Sequence, residues 1–288
     1  EAKGMGASQS TESNLTAGIQ RHLSKIVVAP SFAASLFFVY GFILWTGYMA
    51  FSKSRMLPVW DWAGLRQYER LWQMERWHVA IENLLIFGGL FIVTCLVIGC
   101  LLAVLLDQRI RAEGALRTIF LYPMALSFIV TGTVWKWLLN PGLGLESMMH
   151  DLGWTSFEFD WLVNSDMAIY TVVIAAVWQD IIRAAYMDGA SLPRIYFGII
   201  IPSIRPVFLS AIVVLAHLAV KSFDLVIALT GGGPGYSSDL PATFMYTMAF
   251  QRNQLGVGAA SAMMMLATVM AIIVPYLYSE LRGGKKNG

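Results

Sequence analysis

Four ionisable side chains lie within or beside long apolar stretches of the sequence. They are Lys136, His217, Lys221 and Asp224. A charged group is costly in hydrocarbon, so each is a candidate functional residue if the chain crosses a membrane. A membrane enzyme would need His, Asp or Ser groups clustered at one depth, whereas the four His of this chain are scattered. These residue types therefore predict binding of a polar solute and no covalent chemistry by this chain.

The spacing of three of these residues predicts a polar stripe on one helix. His217, Lys221 and Asp224 are four and three residues apart, which puts them on one helical face. Such a stripe fits the binding of a polar solute, which needs directional donors and acceptors. The alternative is a structural Lys221–Asp224 pair, with His217 in an interhelical hydrogen bond. Lys136, near the outer end of another apolar run, either binds a sugar hydroxyl or extends to the interface.

Composition indicates a membrane protein. Hydrophobic residues make up 57% of the 288 residues and charged residues only 13%, against about 25% in soluble domains. The net charge of +2 is too small to indicate a nucleic-acid partner. Cys95 and Cys100 point to different helix faces, so no metal site is expected. The phosphate-binding loop Gly-x-x-x-x-Gly-Lys-Ser/Thr is absent, so no nucleotide is expected on this chain.

Five apolar runs reach the length of about 20 residues that a spanning helix needs. A sixth, Met167–Trp178, is too short. Glu82 and Asn83, before the second run, are interpreted as interfacial caps, and residues 1–25 form a polar N-terminal segment. The five runs are Ile26–Phe51, Leu84–Leu106, Thr118–Leu139, Val207–Thr230 and Val257–Tyr278.

The distribution of Lys and Arg predicts six spans with both termini in the cytoplasm, because cytoplasmic loops carry the excess of these residues. The connection from Asn140 to Asp166 has neither residue type and is predicted to be external, so a crossing must precede Arg183. The exception is the basic stretch Lys53–Arg76, which is interpreted as a folded external helix. The cytoplasmic groups are Arg21 and Lys25; Arg109, Arg111 and Arg117; Arg183, Arg194 and Arg205; and Arg282, Lys285 and Lys286.

The short fourth run predicts an interruption of the chain. A complete span would need roughly 8–20 further residues between Gln179 and Asp180. We therefore expect the α-carbons of these two residues to lie well beyond the separation of about 3.8 Å across a peptide bond. A re-entrant half-helix or a tilted segment in a thinned bilayer are the alternatives.

The stretch from Asp180 to Pro206 predicts two short cytoplasmic helices joined by a tight turn. Asp180 can cap the first helix, and Ser191 the second, with Pro193 in its first turn. Gly189 between them tolerates the positive φ of a sharp turn. Small residues here let another protein approach closely, which suits docking into a groove.

This stretch resembles the EAA loop of binding-protein-dependent ABC importers. The family pattern is Glu-Ala-Ala, three residues, Gly, nine residues, then Ile-x-Leu-Pro. Arg183 replaces the family Glu, which puts in question the ion pair that this Glu often makes to the ATPase, and Ile201 replaces Leu. The ATPase-coupling residues implied by the resemblance are Arg183, Ala184, Ala185, Asp188, Gly189, Ala190, Ser191 and Pro202.

Further blocks resemble sugar permeases of the maltose/glycerol-phosphate branch. They include Phe223-Asp224-Leu225, the segment Leu229–Gly235, Trp135–Gly142 and Val257–Ala262. DQRIRAEG, YPMALS and PYLYSELRG look most like the first permease of glucose/mannose-type importers. The resemblance implies an all-α membrane protein with the six-helix type I ABC importer permease fold, residues 26–288 forming the permease domain and 180–206 the coupling loop.

The resemblance also implies an assembly in the bacterial inner membrane. A second permease subunit, two ATPase subunits that bind ATP and Mg, and a periplasmic sugar-binding protein are the expected partners, beside membrane lipid. Glucose or mannose is the expected substrate, with glycerol-phosphate or trehalose as alternatives. An ion-coupled secondary transporter is the rival interpretation; it predicts inverted repeats and intramembrane carboxylates, and it leaves the EAA-like loop unexplained.

Overall fold

The computed structural model describes residues 5–106, 126–185 and 205–284 of the protein. They fall into two units, divided between Tyr48 and Met49. The described residues are mostly helical and contain no named strand. The helices are α1 (Met5–Ala50), α2 (Arg66–Gln73), α3 (Glu75–Leu106), α4 (Phe128–Leu138), α5 (Gly144–Asp151), α6 (Ala168–Ala185), α7 (Arg205–Lys221), α8 (Asp224–Leu229), α9 (Pro241–Tyr246), a π-helix at Thr247–Gln251 and α10 (Leu255–Gly284).

Three helices of the described residues are long and apolar enough to cross a membrane. They contain the segments Val27–Ala50, Glu75–Leu102 and Leu255–Tyr278. The first, second and last predicted spans are therefore confirmed as long apolar helices, and the chain is a multi-pass membrane protein. The second begins earlier than predicted, at Glu75 instead of Leu84, so Glu82 and Asn83 lie inside α3 and do not cap it. The short helix predicted in the 53–76 stretch is present as α2.

The predicted third span, Thr118–Leu139, is not one continuous helix. Leu126 and Ser127 are non-helical, and α4 begins only at Phe128. The reason is local: the Ser127 side chain accepts a hydrogen bond from the Ile129 N–H at 3.4 Å, which caps a new helix start. Residues 118–125 of this predicted span lie outside the described part of the chain.

The predicted chain break between Gln179 and Asp180 is wrong. Both residues belong to the continuous 18-residue helix α6, so Asp180 does not cap a separate helix either. The apolar run ends at Trp178, but the helix continues through polar residues and reaches about 27 Å at about 1.5 Å per residue. That length approaches the roughly 30 Å of the hydrocarbon core. The Gln179 amide donates to the Leu126 carbonyl at 2.9 Å, which stabilises this buried polar side chain.

The predicted fifth span, Val207–Thr230, is also divided in the structure. Helix α7 ends at Lys221 and α8 begins at Asp224. Phe223 between them has φ −127° and ψ −60°, outside the helical region. The Ser222 N–H bonds the Ala219 carbonyl at 3.2 Å, three residues back, a tightening typical of helix ends. The count of six spans stays a prediction.

The core of the second unit lies where α3, α6, α7 and α8 meet. Phe87 and Phe91 of α3 are fully buried and stacked with ring centroids 5.5 Å apart. Helix α4 packs closely on α8 because Gly132 has no side chain: a Cβ there would lie 2.7 Å from the Cβ of Ala228. This packing leaves the opposite face of α7 uncovered by the second unit.

Candidate transport pathway and coupling loop

The sequence-predicted pathway residues all lie on exposed surface of this chain. Lys136 is in the last turn of α4, and His217 and Lys221 are on the exposed face of α7, opposite buried Leu215. Asp224 is exposed at the first position of α8. These groups are therefore accessible to solvent, solute or another subunit.

The division between α7 and α8 separates Asp224 from His217 and Lys221. His217 and Lys221 still share a face of α7, whereas Asp224 belongs to α8, so the prediction of a single three-residue helical stripe is wrong. Within the described residues, neither side chain of the Lys221–Asp224 couple makes an ion pair within 4.0 Å. The structural pair considered as an alternative is therefore not formed here.

An aromatic group beside the helix division escaped the sequence reasoning. The ring of Phe223 lies 5.1 Å from that of Tyr246, which lies 5.4 Å from that of Phe250. Tyr246 is 36% exposed and Phe250 67% exposed. We call Phe223, Tyr246 and Phe250 the aromatic shelf. Ligand pockets combine aromatic side chains with a few placed polar groups, and the shelf adjoins Asp224 in the chain. The only signal in the sequence was the four-residue spacing of Tyr246 and Phe250.

A buried charged network holds the segment that carries the shelf. Arg76 at the start of α3 pairs with Asp239 at 2.5 Å, and Asp239 is 1% exposed. Arg76 also donates to the Thr247 hydroxyl at 3.3 Å, and the Thr243 hydroxyl donates to Asp239 at 3.0 Å. Burial raises the pKa of the Asp239 carboxyl, while the hydrogen bonds and the Arg76 charge act in the opposite direction. Tyr246 is the last residue of α9 and directly precedes the π-helix, so this network fixes the position of the shelf.

Asn83 completes the attachment of this segment. Its amide donates to the Ser237 carbonyl at 2.8 Å and to the Asp239 carbonyl at 2.9 Å. The side chain is buried in α3, so these two bonds satisfy a polar group that would otherwise be costly. Asn83 therefore ties a loop to a long apolar helix.

Only the first part of the predicted coupling loop falls within the described residues. Arg183, Ala184 and Ala185 form the C-terminal end of α6, so they continue the fourth apolar helix directly. The other predicted coupling residues, Asp188, Gly189, Ala190, Ser191 and Pro202, lie outside the described part of the chain.

The chain is similar to known permease proteins along most of its length, although no family model matches it. It is 34% identical over 269 residues to a probable ABC transporter permease protein of Pyrococcus horikoshii, covering 86% of this chain and 92% of the relative. It is 34% identical to the xylose/arabinose import permease protein XacH of Haloferax volcanii, covering 79% and 77%. It is 25% identical to the trehalose/maltose transport system permease protein MalF of Thermococcus litoralis, covering 92% and 97%.

The fold is similar to that of a solved transporter. A chain of a bacterial ABC transporter involved in the import of the polysaccharide alginate matches with a TM-score of 0.76 and 19% identity, covering 93% of this chain and 99% of that one. At this identity the likeness concerns the fold alone. A second structure of an alginate transporter, in complex with an alginate pentasaccharide-bound periplasmic protein, matches with a TM-score of 0.75. From the sequence relatives, the chain belongs to the ABC transporter permease proteins.

Proposed function

We propose that this chain is one of two permease subunits of an ATP-driven importer and forms half of the pathway for a sugar or oligosaccharide. The observation that carries the proposal is the juxtaposition of the exposed aromatic shelf with the chain division at Phe223 and the accessible Asp224. Aromatic faces and charged hydrogen-bonding groups together suit a polyhydroxylated solute. Relatives named for xylose/arabinose and trehalose/maltose transport support the same substrate class.

Within this proposal, we infer that the transported sugar is glucose or mannose. Glucose or mannose follows from the resemblance of the sequence blocks, with trehalose or glycerol-phosphate as alternatives; relatives named for sn-glycerol-3-phosphate transport support the last. In the assembled transporter, ATPase activity should be measured with a panel of binding proteins, each loaded with one sugar. Stimulation by a glucose- or mannose-loaded protein is expected, and stimulation only by another loaded protein would replace the substrate and leave the permease role intact.

Energy for import would come from two partner ATPase subunits that bind ATP and Mg, since this chain has no phosphate-binding loop. The coupling segment would follow α6 on the cytoplasmic side of a bacterial inner membrane, with both termini cytoplasmic. Gly189→Asp should abolish ATP-dependent uptake while the chain still inserts in the membrane, because a charged side chain replaces the small residue of the docking turn. Gly89→Ala, at an exposed glycine where a Cβ meets no neighbour within 4 Å, is the control. Normal uptake by Gly189→Asp would exclude the docking role.

The rival interpretation is an ion-coupled transporter. It would require the exposed Asp224 to carry the coupling ion, and the EAA-like loop would have no role. Co-purification of an ATPase subunit with the tagged chain distinguishes the two. Uptake by the chain alone under an ion gradient would favour the rival.

A further inference from the structure

A cavity in the second unit carries a concentration of positive charge that the pathway does not use. Its volume is about 710 Å³, and its lining includes Arg55, Arg70 and Arg252 but no Asp or Glu. All three arginines are exposed at its mouth. Within the described residues, the one salt bridge joins Arg76 to Asp239, so none of the three lining arginines is neutralised by a carboxylate within 4.0 Å. We call this cavity the arginine pocket.

The base of the arginine pocket is fixed by hydrogen bonds between segments far apart in sequence. The Leu255 N–H donates to the Arg55 carbonyl at 3.0 Å, and the Gly256 N–H to the Ser54 carbonyl at 3.0 Å. The buried Gln67 side chain donates to the Ser52 carbonyl at 2.7 Å. These bonds hold the loop that carries Arg55 and the helix that carries Arg70 against the start of α10, three residues after Arg252. Such an arrangement is preorganised.

Gly256 allows the close approach of α10 to α2. A Cβ at residue 256 would lie 2.7 Å from the Gln67 amide nitrogen, so a larger residue would displace the Gln67 side chain from its bond to the Ser52 carbonyl. On α2, the pocket-lining residues Gln67, Arg70 and Gln73 are three residues apart, which puts them on one face. Arg66 lies on the same helix, is exposed, and does not line the cavity.

We infer that the arginine pocket receives carboxylate side chains of an acidic protein partner on the external side of the membrane. This inference rests on the proposed function, in which that partner is the solute-loaded binding protein. Guanidinium groups bind carboxylates through paired hydrogen bonds. The cavity is larger than one side chain needs, and its charge suits a segment with several carboxylates. No aromatic residue lines it, so it does not repeat the features of the aromatic shelf.

The exposure of the arginines favours a protein over a small anion or a lipid. A single exposed ion pair contributes little to binding, so useful affinity requires several pairs and surrounding contacts, which a protein surface supplies. A lipid would need a continuous apolar path for its chains, whereas the apolar lining consists only of Met56, Met74 and Val257.

The arginine pocket is joined to the aromatic shelf by a single short element. The Arg252 N–H donates to the Thr247 carbonyl at 2.9 Å and caps the π-helix, which directly follows Tyr246. The charge of Arg252 also acts on Asp239, in the network that positions this segment. A partner that engages Arg252 therefore binds beside the element that carries the shelf, where a solute would be delivered.

The first test uses the full-length chain in nanodiscs of zwitterionic phosphatidylcholine and a fluorescent hexaglutamate peptide. Wild type should bind the peptide, and 0.5 M NaCl should weaken binding. The triple variant Arg55→Gln/Arg70→Gln/Arg252→Gln should bind at least about tenfold more weakly, as expected for the loss of several exposed pairs. Arg66→Gln, which removes one exposed positive charge from α2, should stay within about twofold, and a hexaglutamine peptide should not bind. Equal binding by the triple variant and wild type would overturn the inference.

Competition with phosphate and with phosphatidylglycerol vesicles tests whether the arginine pocket binds a small anion or a lipid instead of a protein. Hexaglutamate should remain bound in the presence of millimolar phosphate or phosphatidylglycerol vesicles. Displacement by phosphate would identify a small-anion site, and displacement by the vesicles a lipid site; either result overturns the protein-partner inference.

The second test uses the assembled transporter and a sugar-loaded binding protein that stimulates its ATPase. The triple variant should need at least about tenfold more binding protein for half-maximal stimulation, with the maximal rate unchanged. An unchanged half-maximal concentration would overturn the inference and leave the importer function standing. If no binding protein stimulates even the wild-type complex, the proposed function fails, while arginine-dependent hexaglutamate binding would still support an acidic partner.

Discussion

Two regions of this permease each contain one basic and one acidic side chain close together in the structure or the chain. The two regions differ in how far these side chains are exposed. Arg76 and Asp239 pair with each other in the interior, where Asp239 is 1% exposed. Lys221 and Asp224 flank the division between α7 and α8, are exposed, and are not paired within 4.0 Å. A buried charge requires its partner, whereas an exposed charge can exchange water for a ligand. We therefore expect that loss of one member of the first couple reduces stability, and that loss of one member of the second affects transport instead.

The largest effect on stability is expected from Asp239→Asn. The substitution leaves the Arg76 guanidinium without its counter-charge, and removal of one partner of a buried pair costs about 3 kcal/mol or more. The free energy of unfolding should be measured by SDS titration in mixed micelles. Asp224→Asn, the same change at an exposed site, should leave it within about 0.5 kcal/mol. Equal effects of the two variants would remove the distinction between the regions.

A smaller loss of stability is expected where α4 approaches α8. Gly132→Ala adds a Cβ 2.7 Å from the Cβ of Ala228 and 3.1 Å from the Leu225 carbonyl oxygen, and overpacking of this kind costs about 1–3 kcal/mol. The same titration applies, with Gly89→Ala as control because no neighbour lies within 4 Å of its Cβ. If Gly132→Ala is as stable as wild type, the helices are not held as closely as described.

Substitutions of the exposed couple should change transport and leave stability unaltered. Lys221→Ala or Asp224→Ala should raise the sugar concentration for half-maximal uptake by up to about tenfold, since a hydrogen bond contributes about 0.5–1.5 kcal/mol. Uptake into proteoliposomes and recovery of the intact complex should be measured on the same preparations. Failure of both variants to assemble would instead support a structural role for these charges.

The smallest effect is expected at Glu146 in the connection between α4 and α6. Its carboxylate accepts hydrogen bonds from the Gly142 N–H at 3.0 Å and the Phe159 N–H at 3.4 Å, and the Gly142 bond is the main cause of its lowered pKa. A lowered folded-state pKa means that the stabilisation is present above the ordinary value of 4.5 and is lost as pH falls through the folded value. Hydrogen exchange of these two amides, corrected for intrinsic rates, should show protection at pH 6 that Glu146→Gln reduces. Identical protection in the variant would mean that the carboxylate does not hold this loop.

Sequence reasoning succeeded where one strong physical signal acted alone. Uninterrupted apolar composition predicted the long helices α1, α3 and α10, because a spanning segment has few alternatives in a bilayer. The ionisable residues Lys221 and Asp224 were recognised from their position in apolar sequence. Their accessibility could be read only from the packing of α7 and α8, which buries Leu215 and Leu225 and leaves Lys221 and Asp224 exposed.

Sequence reasoning failed where the local sequence carries no signal of the structure that forms. The run Val207–Thr230 has no Gly or Pro at Ser222–Phe223 to signal a division. Asn83 was interpreted as a cap because its partners, the carbonyls of Ser237 and Asp239, are more than 150 residues away. The predicted interruption after Gln179 assumed that a spanning helix ends with its apolar residues, whereas α6 continues to Ala185.

The most direct test of the account is sugar uptake by proteoliposomes that contain this chain, its second permease and the ATPase subunits, with a sugar-loaded binding protein outside. The account predicts uptake that requires internal ATP, persists when ionophores remove all ion gradients, and decreases in Asp224→Ala while the complex remains intact. Uptake that proceeds without ATP, or that stops when the ion gradients are removed, would contradict it.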